Sequence, residues 1–157
     1  ECDYMARDTL FANRFFRRLI VSLNAFPIRR GEADVAAIKE TIRRLRAGRL
    51  VTAYPEGTRT EDGRIGTMLP GIGSIAKKTH TPIVPTLIEG AYEAWPRHRR
   101  FPRLGRVGVV YGEPIHPDQH PEWDAQALMD EVRRRLIRMQ ARERCRQGLP
   151  PLEYDRR

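Results

Sequence analysis

Apolar residues recur every three or four positions in three stretches of this chain, with polar residues between them. The stretches cover residues 10–23, 33–47 and 121–148. Their apolar positions are Phe11, Phe15, Leu19 and Leu23; Val35, Ile38, Ile42 and Leu45; and Leu128, Val132, Leu136 and Met139. Because this spacing places the apolar side chains on one side of a helix, each stretch is predicted to be an amphipathic helix. A shorter helix is predicted to begin at Pro70 and Gly71.

Three further runs are apolar without helical spacing. They cover residues 50–54, 81–88 and 106–111, and each is short enough to be a buried strand. Residues 24–31 are predicted to be a further extended segment. The helix at 33–47 joins this segment to the strand at 50–54, and such a crossover implies parallel strands.

The order of these elements predicts an α/β fold with a mixed, largely parallel sheet flanked by helices in a single domain. The length of 157 residues also fits one domain. Pro27 disfavours a central place for its segment, because proline has no N–H to give to a neighbouring strand. Residues 1–148 are expected to form the domain, and residues 149–157 are expected to be a loose tail.

A polar turn follows the first of the apolar strands, where open α/β sheets place their ligand sites. Pro55 ends the strand, and Gly57 allows a backbone conformation that a side chain would block. Arg59 can hold a phosphate through two hydrogen bonds, and Thr58 and the backbone around Gly57 can add more. Glu56 repels an anion, so it is expected to hold Arg59 or to accept from a substrate hydroxyl. The same residue types also fit an ordinary surface turn.

The composition is strongly basic, with a formal net charge of +9 at pH 7. Such a surface favours phosphate esters, acidic lipid headgroups or nucleic acid as partners. The two cysteines, Cys2 and Cys145, cannot form a disulfide framework and lack metal-ligand spacing, so no metal site and a reducing compartment are expected. No apolar run approaches the ~20 residues of a membrane-spanning helix. Because the chain begins with Glu1 and not with Met, a processed or partial chain is expected.

Two stretches combine arginines with aromatic residues. The predicted helix at 10–23 suits a membrane surface, and it equally suits a core-facing helix with a basic outer side. The second stretch places Arg97, Arg99, Arg100, Arg103 and Arg106 near Tyr92, Trp95 and Phe101. This stretch fits anionic lipid headgroups, a nucleic-acid backbone, or a solvated loop without a partner.

Three blocks of the chain resemble the glycerolipid acyltransferase family, whose type enzyme is 1-acylglycerol-3-phosphate acyltransferase. Tyr-Pro-Glu-Gly-Thr-Arg-Thr at residues 54–60 is similar to the family's Phe-Pro-Glu-Gly-Thr-Arg-Ser block, which binds the acceptor phosphate. Residues 25–30 resemble a second block, in which Arg30 falls on an arginine that assists with this phosphate. Pro-Ile-Val-Pro at residues 82–85 resembles a block that lines the acyl-chain side of the site, and Pro85 matches its proline.

The resemblance implies an acyltransferase of phospholipid biosynthesis. Such an enzyme moves a fatty acyl group from an acyl-CoA or acyl carrier protein thioester to lysophosphatidic acid or a related glycerolipid, without a cofactor. The acceptor phosphate is then expected at Arg30, Glu56, Gly57, Thr58 and Arg59, and the acyl side at Pro85. The enzyme is expected to be a peripheral protein on the cytoplasmic face of an anionic membrane, without nucleic acid as a partner.

The family's catalytic base is a histidine with an aspartate five positions later. The histidines of this chain are His80, His98, His116 and His120, and none has an aspartate at that spacing. The resemblance covers residues 5–112, so the catalytic pair is expected upstream of Glu1 and no catalytic residue is expected within the chain. Two alternatives remain: a non-catalytic lipid- or phosphate-binding domain of the same fold, and a basic nucleic-acid-binding module.

Overall fold

Parallel strands form the centre of the fold. The computed structural model describes residues 1–29 and 34–154 of the chain. Within them, the main sheet contains β1 (Cys2–Arg7), β2 (Ala25–Ile28) and β3 (Leu50–Thr52). The order across the sheet is β2–β1–β3, and both neighbours run parallel to β1. The carboxyl ends of the strands therefore meet at one edge, where the predicted phosphate-binding turn begins.

A second pair of strands is antiparallel. It is formed by β4 (Thr86–Glu89) and β5 (Gly108–Tyr111), and an isolated bridge joins Ile83 to Ile115 beside them. The strand predicted at 81–88 is therefore regular only in its second half. Parallel and antiparallel pairs together, with helices around them, confirm the predicted α/β fold.

Three of the helices have a short polar side chain as their N-cap. The helices are α1 (Arg14–Ser22), α2 (Val35–Arg46), α3 (Gly71–Thr79), α4 (Ala91–Ala94) and α5 (Ala125–Arg146). Asn13, Asp34 and Asp124 cap α1, α2 and α5, each accepting from a backbone N–H of the first turn. These caps satisfy donors that have no partner inside the helix, so the local sequence fixes these helix starts.

The hydrophobic core lies where α3 and α5 pack with β4. Its buried members are Met68, Ala76, Leu87, Ile115, Leu128, Met129, Val132 and Leu136. The predicted stripe of α5 is in this core, with Met139 packed against it, so the predicted buried face of that helix is confirmed.

The apolar stripe of α2 supplies only part of the buried side of that helix. Its exposed apolar residues are Val35 and Ile38, and its buried residues are Ala37 and Thr41. On the buried side, the guanidinium of Arg44 reaches a carboxylate oxygen of Asp3 at 2.8 Å. The other two residues of the predicted stripe, Ile42 and Leu45, are half-buried, so the predicted helix is present and its stripe is partly covered.

The central strand, β1, carries no sequence pattern that predicts a strand. Its Asp3 has 0% of its surface exposed. Arg49 donates to both carboxylate oxygens of Asp3, from Nε at 2.5 Å and from Nη2 at 2.6 Å. Since a buried charge is stable only when it is paired, this strand depends on arginines that lie more than 40 positions away.

Helix α1 buries none of its side chains. Phe15 has 89% of its surface exposed, and Phe16 and Leu19 are exposed as well. Within the described residues, this helix therefore does not face the core, unlike the core-facing alternative. Across residues 1–29 and 34–154, no helix has both the length and the apolar composition that crossing a membrane requires.

The described part of the predicted loose tail, residues 149–154, is held by hydrogen bonds. The hydroxyl of Tyr154 donates to Oε1 of Gln140 at 2.5 Å and accepts from the backbone N–H of Ile65 at 2.9 Å. A buried amide and a backbone N–H thus hold the phenol, and the expected looseness of residues 149–157 stays a prediction. Residues 155–157 lie outside the described residues.

Candidate functional site

The predicted turn does lie at the carboxyl end of β3. Gly57 has φ +67°, a left-handed conformation that glycine adopts at little cost. Its N–H donates to the carbonyl of Tyr54 at 3.0 Å, and the carbonyl of Pro55 accepts from the N–H of Leu69 at 3.0 Å. The N–H of Gly57 is therefore used within the turn, so this glycine contributes backbone shape in place of the predicted phosphate contact.

A cavity of about 470 Å³ opens beside this turn. One wall is the loop at residues 56–66, which we call the motif loop. The other wall is the end of β4 with α4, and the base is formed by Leu87, Glu89, Leu136 and Gln140. The polar and aromatic side chains around the base are Thr58, Arg59, Thr60, Arg64, Tyr92, Glu93 and Trp95. The volume is within the range of small-molecule sites.

Arg59 lies at this cavity with its side chain against an aromatic ring. Its guanidinium carbon is 5.8 Å from the ring centroid of Trp95. Trp95 is itself held, since its indole N–H donates to the carbonyl of Arg99 at 3.0 Å. A cation over an aromatic face is attracted by the ring's electron density. The tryptophan therefore gives Arg59 a defined position at the cavity, a contact that sequence reasoning missed.

Glu56 does not hold Arg59, as the sequence had suggested. Its Oε2 accepts from the backbone N–H of Gly66 at 2.8 Å, which closes the motif loop across ten residues. Burial raises the pKa of this carboxyl above its usual range, while the Gly66 hydrogen bond and the charge of Arg133 oppose the rise. Glu56 therefore shapes the loop and does not contact Arg59 there.

The structure brings together part of the predicted site. Thr58 and Arg59 are adjacent and exposed at the cavity, and the Thr58 hydroxyl lies 3.5 Å from the carbonyl of Arg59. Arg30 lies outside the described residues. Pro85 is fully buried and its carbonyl accepts from Gly112, so its side chain does not line an open surface.

Polar groups at the base of the cavity come from distant parts of the sequence. Gln140 is 3% exposed, and its Nε2 donates to Oε2 of Glu89 at 3.1 Å and to the carbonyl of Gly63 at 2.9 Å. Arg144 pairs with the other oxygen of Glu89 at 3.1 Å. No local motif marks these residues, because the hydrogen-bonded partners are 51 to 77 positions apart in sequence.

Histidine is not among the residues that line this cavity. The ring of His80 lies 2.6 Å from a carboxylate oxygen of Asp118, but this pair is exposed at the far end of α3. His120 stacks on Trp123 with ring centroids 3.7 Å apart. Among residues 1–29 and 34–154, no three histidine, cysteine, aspartate or glutamate side chains cluster in a way that could hold a metal.

Comparison with known proteins places the chain in a family. Residues 1–89 match the family model named Acyltransferase, and they contain the motif loop and β4. The chain belongs to the acyltransferase family. The predicted resemblance is thereby confirmed at the level of the family.

Relatives and a solved structure of this family resemble much of the chain. The 1-acyl-sn-glycerol-3-phosphate acyltransferase of Bacillus subtilis (strain 168) is 30% identical over 116 residues, which cover 74% of this chain and 55% of the relative. The protein of the same name from Limnanthes douglasii is 31% identical over 102 residues, covering 64% of this chain and 35% of the relative.

The crystal structure of the 1-acyl-sn-glycerophosphate (LPA) acyltransferase of Thermotoga maritima superposes with a TM-score of 0.71 at 27% identity. The superposed region covers 88% of this chain and 57% of that protein. This acyltransferase-family chain thus spans about a third to somewhat more than half of the length of these proteins.

Proposed function

We propose that this chain forms the acceptor-binding part of an enzyme that transfers a fatty acyl group to lysophosphatidic acid or a related glycerolipid. The observation that carries the proposal is the guanidinium of Arg59, positioned by Trp95 at the rim of the 470 Å³ cavity. It presents a planar pair of donors suited to phosphate. The names of the relatives support the choice of acceptor.

In this proposal Arg59 and Thr58 bind the acceptor phosphate, and Arg30 assists. The acyl chain lies along the outward face of the β4–β5 pair, where exposed apolar residues in and beside the strands include Val84, Ile88 and Val109. These side chains take the role that the sequence assigned to Pro85, whose ring is buried.

The proposed reaction is the attack of an acceptor hydroxyl oxygen on a thioester carbonyl. A C–O bond forms, the C–S bond breaks, and the thiol of coenzyme A or acyl carrier protein leaves. A base must take the hydroxyl proton, and a histidine held by a carboxylate is suited to this step. The catalytic pair expected upstream of Glu1 stays a prediction, as does the absence of a cofactor.

The decisive assay uses the natural gene product that contains this chain. It is expected to release free thiol from acyl-CoA or acyl carrier protein only when lysophosphatidic acid is present, and to form phosphatidic acid. Binding of lysophosphatidic acid without thiol release would favour the non-catalytic lipid-binding alternative. Binding of a polynucleotide with a steep salt dependence, and no lipid preference, would favour the nucleic-acid alternative.

We also propose that the chain docks on an anionic membrane surface at the cytoplasmic face. Phe15, near the start of α1, and Phe101, in the arginine-rich loop after Trp95, are both highly exposed. Apolar rings among arginines suit an interface of acyl chains and acidic headgroups. The headgroup of a lysophospholipid would then reach the cavity from the membrane.

Introducing a charge at these rings should weaken membrane binding. Phe15→Glu and Phe101→Glu are each expected to lower the affinity for phosphatidylglycerol vesicles by about tenfold or more, since each ring contributes about 1.5 to 3 kcal/mol when buried. Sedimentation with vesicles measures this. The matched control is Leu50→Glu, which changes an exposed apolar residue at the amino end of β3. An equal loss in the control would contradict the proposed face.

A further inference from the structure

Side chains of α5 and of residues 149–154 bind the backbone of the motif loop. We call residues 149–154 the C-terminal strap. The phenol of Tyr154 accepts from the N–H of Ile65, and it donates to Oε1 of Gln140. Nε2 of Gln140 donates in turn to the carbonyl of Gly63 at 2.9 Å. Two consecutive hydrogen bonds therefore connect the loop to α5.

The same glutamine also reaches the opposite wall of the cavity. Its Nε2 donates to Glu89 at the end of β4, and Glu89 is paired with Arg144. Nε of Arg144 donates to the carbonyl of Pro150 at 2.9 Å, which holds the beginning of the strap. The strap is thus attached to α5 near both of its ends, by Arg144 and by Gln140.

Local hydrogen bonds give the motif loop its shape but not its place. The Thr60 hydroxyl accepts from the N–H of Gly63 at 3.0 Å, and Asp62 accepts from the N–H of Arg64 at 3.0 Å. Both hydrogen bonds join residues between positions 60 and 64, so neither fixes the distance of the motif loop from β4. Gln140 bridges that distance, because its amide nitrogen contacts both Gly63 in the motif loop and Glu89 at the end of β4. Arg133 adds a further bond from α5, since its Nε donates to the carbonyl of Gly66 at 3.0 Å.

We infer that Gln140 and Tyr154 are positioning residues for acceptor binding. They fix the motif loop against β4, and this holds Thr58 and Arg59 at the geometry that the acceptor phosphate requires. Displacements of a binding group by about 1 Å are costly in enzymes, because the binding contacts are directional. The inference rests on the proposed function, because it takes the cavity to bind the acceptor and not the acyl donor.

Tyr154→Phe and Gln140→Met are the variants that test it, in the natural gene product. Each removes hydrogen bonds to the loop while keeping a side chain of similar size. The KM for lysophosphatidic acid is expected to rise about fivefold to tenfold, which corresponds to one lost hydrogen bond. The KM for the acyl thioester is expected to stay unchanged, and hydrogen exchange in a peptide covering residues 60–68 is expected to become faster.

Gln147→Met is the matched control. Gln147 is an exposed glutamine at the end of α5, away from the motif loop. Its Nε2 also donates to a glutamate, Oε1 of Glu143, at 3.0 Å. It should change neither KM nor the exchange of residues 60–68. A purely structural role for Gln140 and Tyr154 would raise both KM values or lower only the melting temperature, and that result would overturn the inference.

Two further outcomes separate the inference from the proposed function. Faster exchange in the loop with an unchanged acceptor KM, or unchanged exchange, would overturn the positioning role while leaving the acyltransferase proposal intact. If the natural gene product transfers no acyl group, the proposed reaction fails by itself. Equilibrium binding of lysophosphatidic acid then decides the role of the strap: equal affinity in wild type and Tyr154→Phe would overturn it, and weaker affinity in the variant would support it.

Discussion

Replacing Arg59 with alanine is expected to raise the KM for lysophosphatidic acid about a hundredfold. A charge-assisted pair of hydrogen bonds to phosphate contributes about 3 kcal/mol, and each 1.4 kcal/mol is a factor of ten. Arg59→Lys should cost about tenfold, because an ammonium keeps the charge but cannot form the planar pair. Steady-state kinetics with varied acceptor, at a saturating acyl thioester concentration, measures both.

The control for this experiment is Arg142→Ala. Arg142 is exposed on α5 and its loss changes the net charge by the same amount, so the control separates direct contact from general attraction of anions. The melting temperature of Arg59→Ala should match that of wild type, because the side chain is exposed. An acceptor KM that stays at the wild-type value would show that the phosphate binds elsewhere.

Replacing Asp3 with asparagine is expected to lower the free energy of unfolding by about 3 kcal/mol. Breaking a buried ion pair leaves its partners without compensation. Here the partners are Arg44 and Arg49, whose side chains are 17% and 29% exposed. For a domain of this size, the melting temperature should fall by roughly 6 to 12 °C. Urea unfolding followed by circular dichroism measures the loss.

The loss of stability in Asp3→Asn should be largest at neutral pH and should disappear in acid. The hydrogen bond from Arg49 is the largest cause that holds the pKa of Asp3 below its ordinary value of 3.8. A carboxyl with a lowered pKa in the folded state stabilises the protein fully above 3.8, and this contribution disappears as the pH falls through the folded-state pKa. Wild type and Asp3→Asn should therefore differ fully at pH 7 and converge in stability below pH 3.8.

Asp118→Asn provides the comparison for Asp3. This carboxyl also contacts a side chain that is distant in sequence, the ring of His80, but both side chains are more than half exposed. Exposed pairs contribute little because water screens them. A loss for Asp118→Asn as large as that for Asp3→Asn would show that burial is not the source of the effect.

Much of the fold was predictable from local sequence. The stripe of α5 with its Asp124 cap, and the turn at Pro55 and Gly57 after β3, are set by residues within a few positions of one another. Helix periodicity, capping and the backbone freedom of glycine act at that range. The motif loop therefore carried enough local information to indicate the family.

The missed features depend on contacts between distant residues. β1 was not predicted because its sequence is mixed, and its buried Asp3 is stable only beside Arg49. The expected contact of Glu56 with Arg59 and the expected open position of Pro85 were also wrong. Glu56 accepts a hydrogen bond from Gly66 instead, and the ring of Pro85 is buried. Both follow from the packing of the motif loop and β4.

The sequence by itself determined helices α1, α2, α3 and α5, the turn with its arginine, and the family to which the chain belongs. Only the tertiary structure decided which strand is central and that Trp95 positions Arg59. It also decided that Gln140 and Tyr154 hold the motif loop. The physical reason is the range of the interactions. Backbone propensities act between neighbours in sequence, whereas the pairing of buried polar groups depends on which residues meet in space.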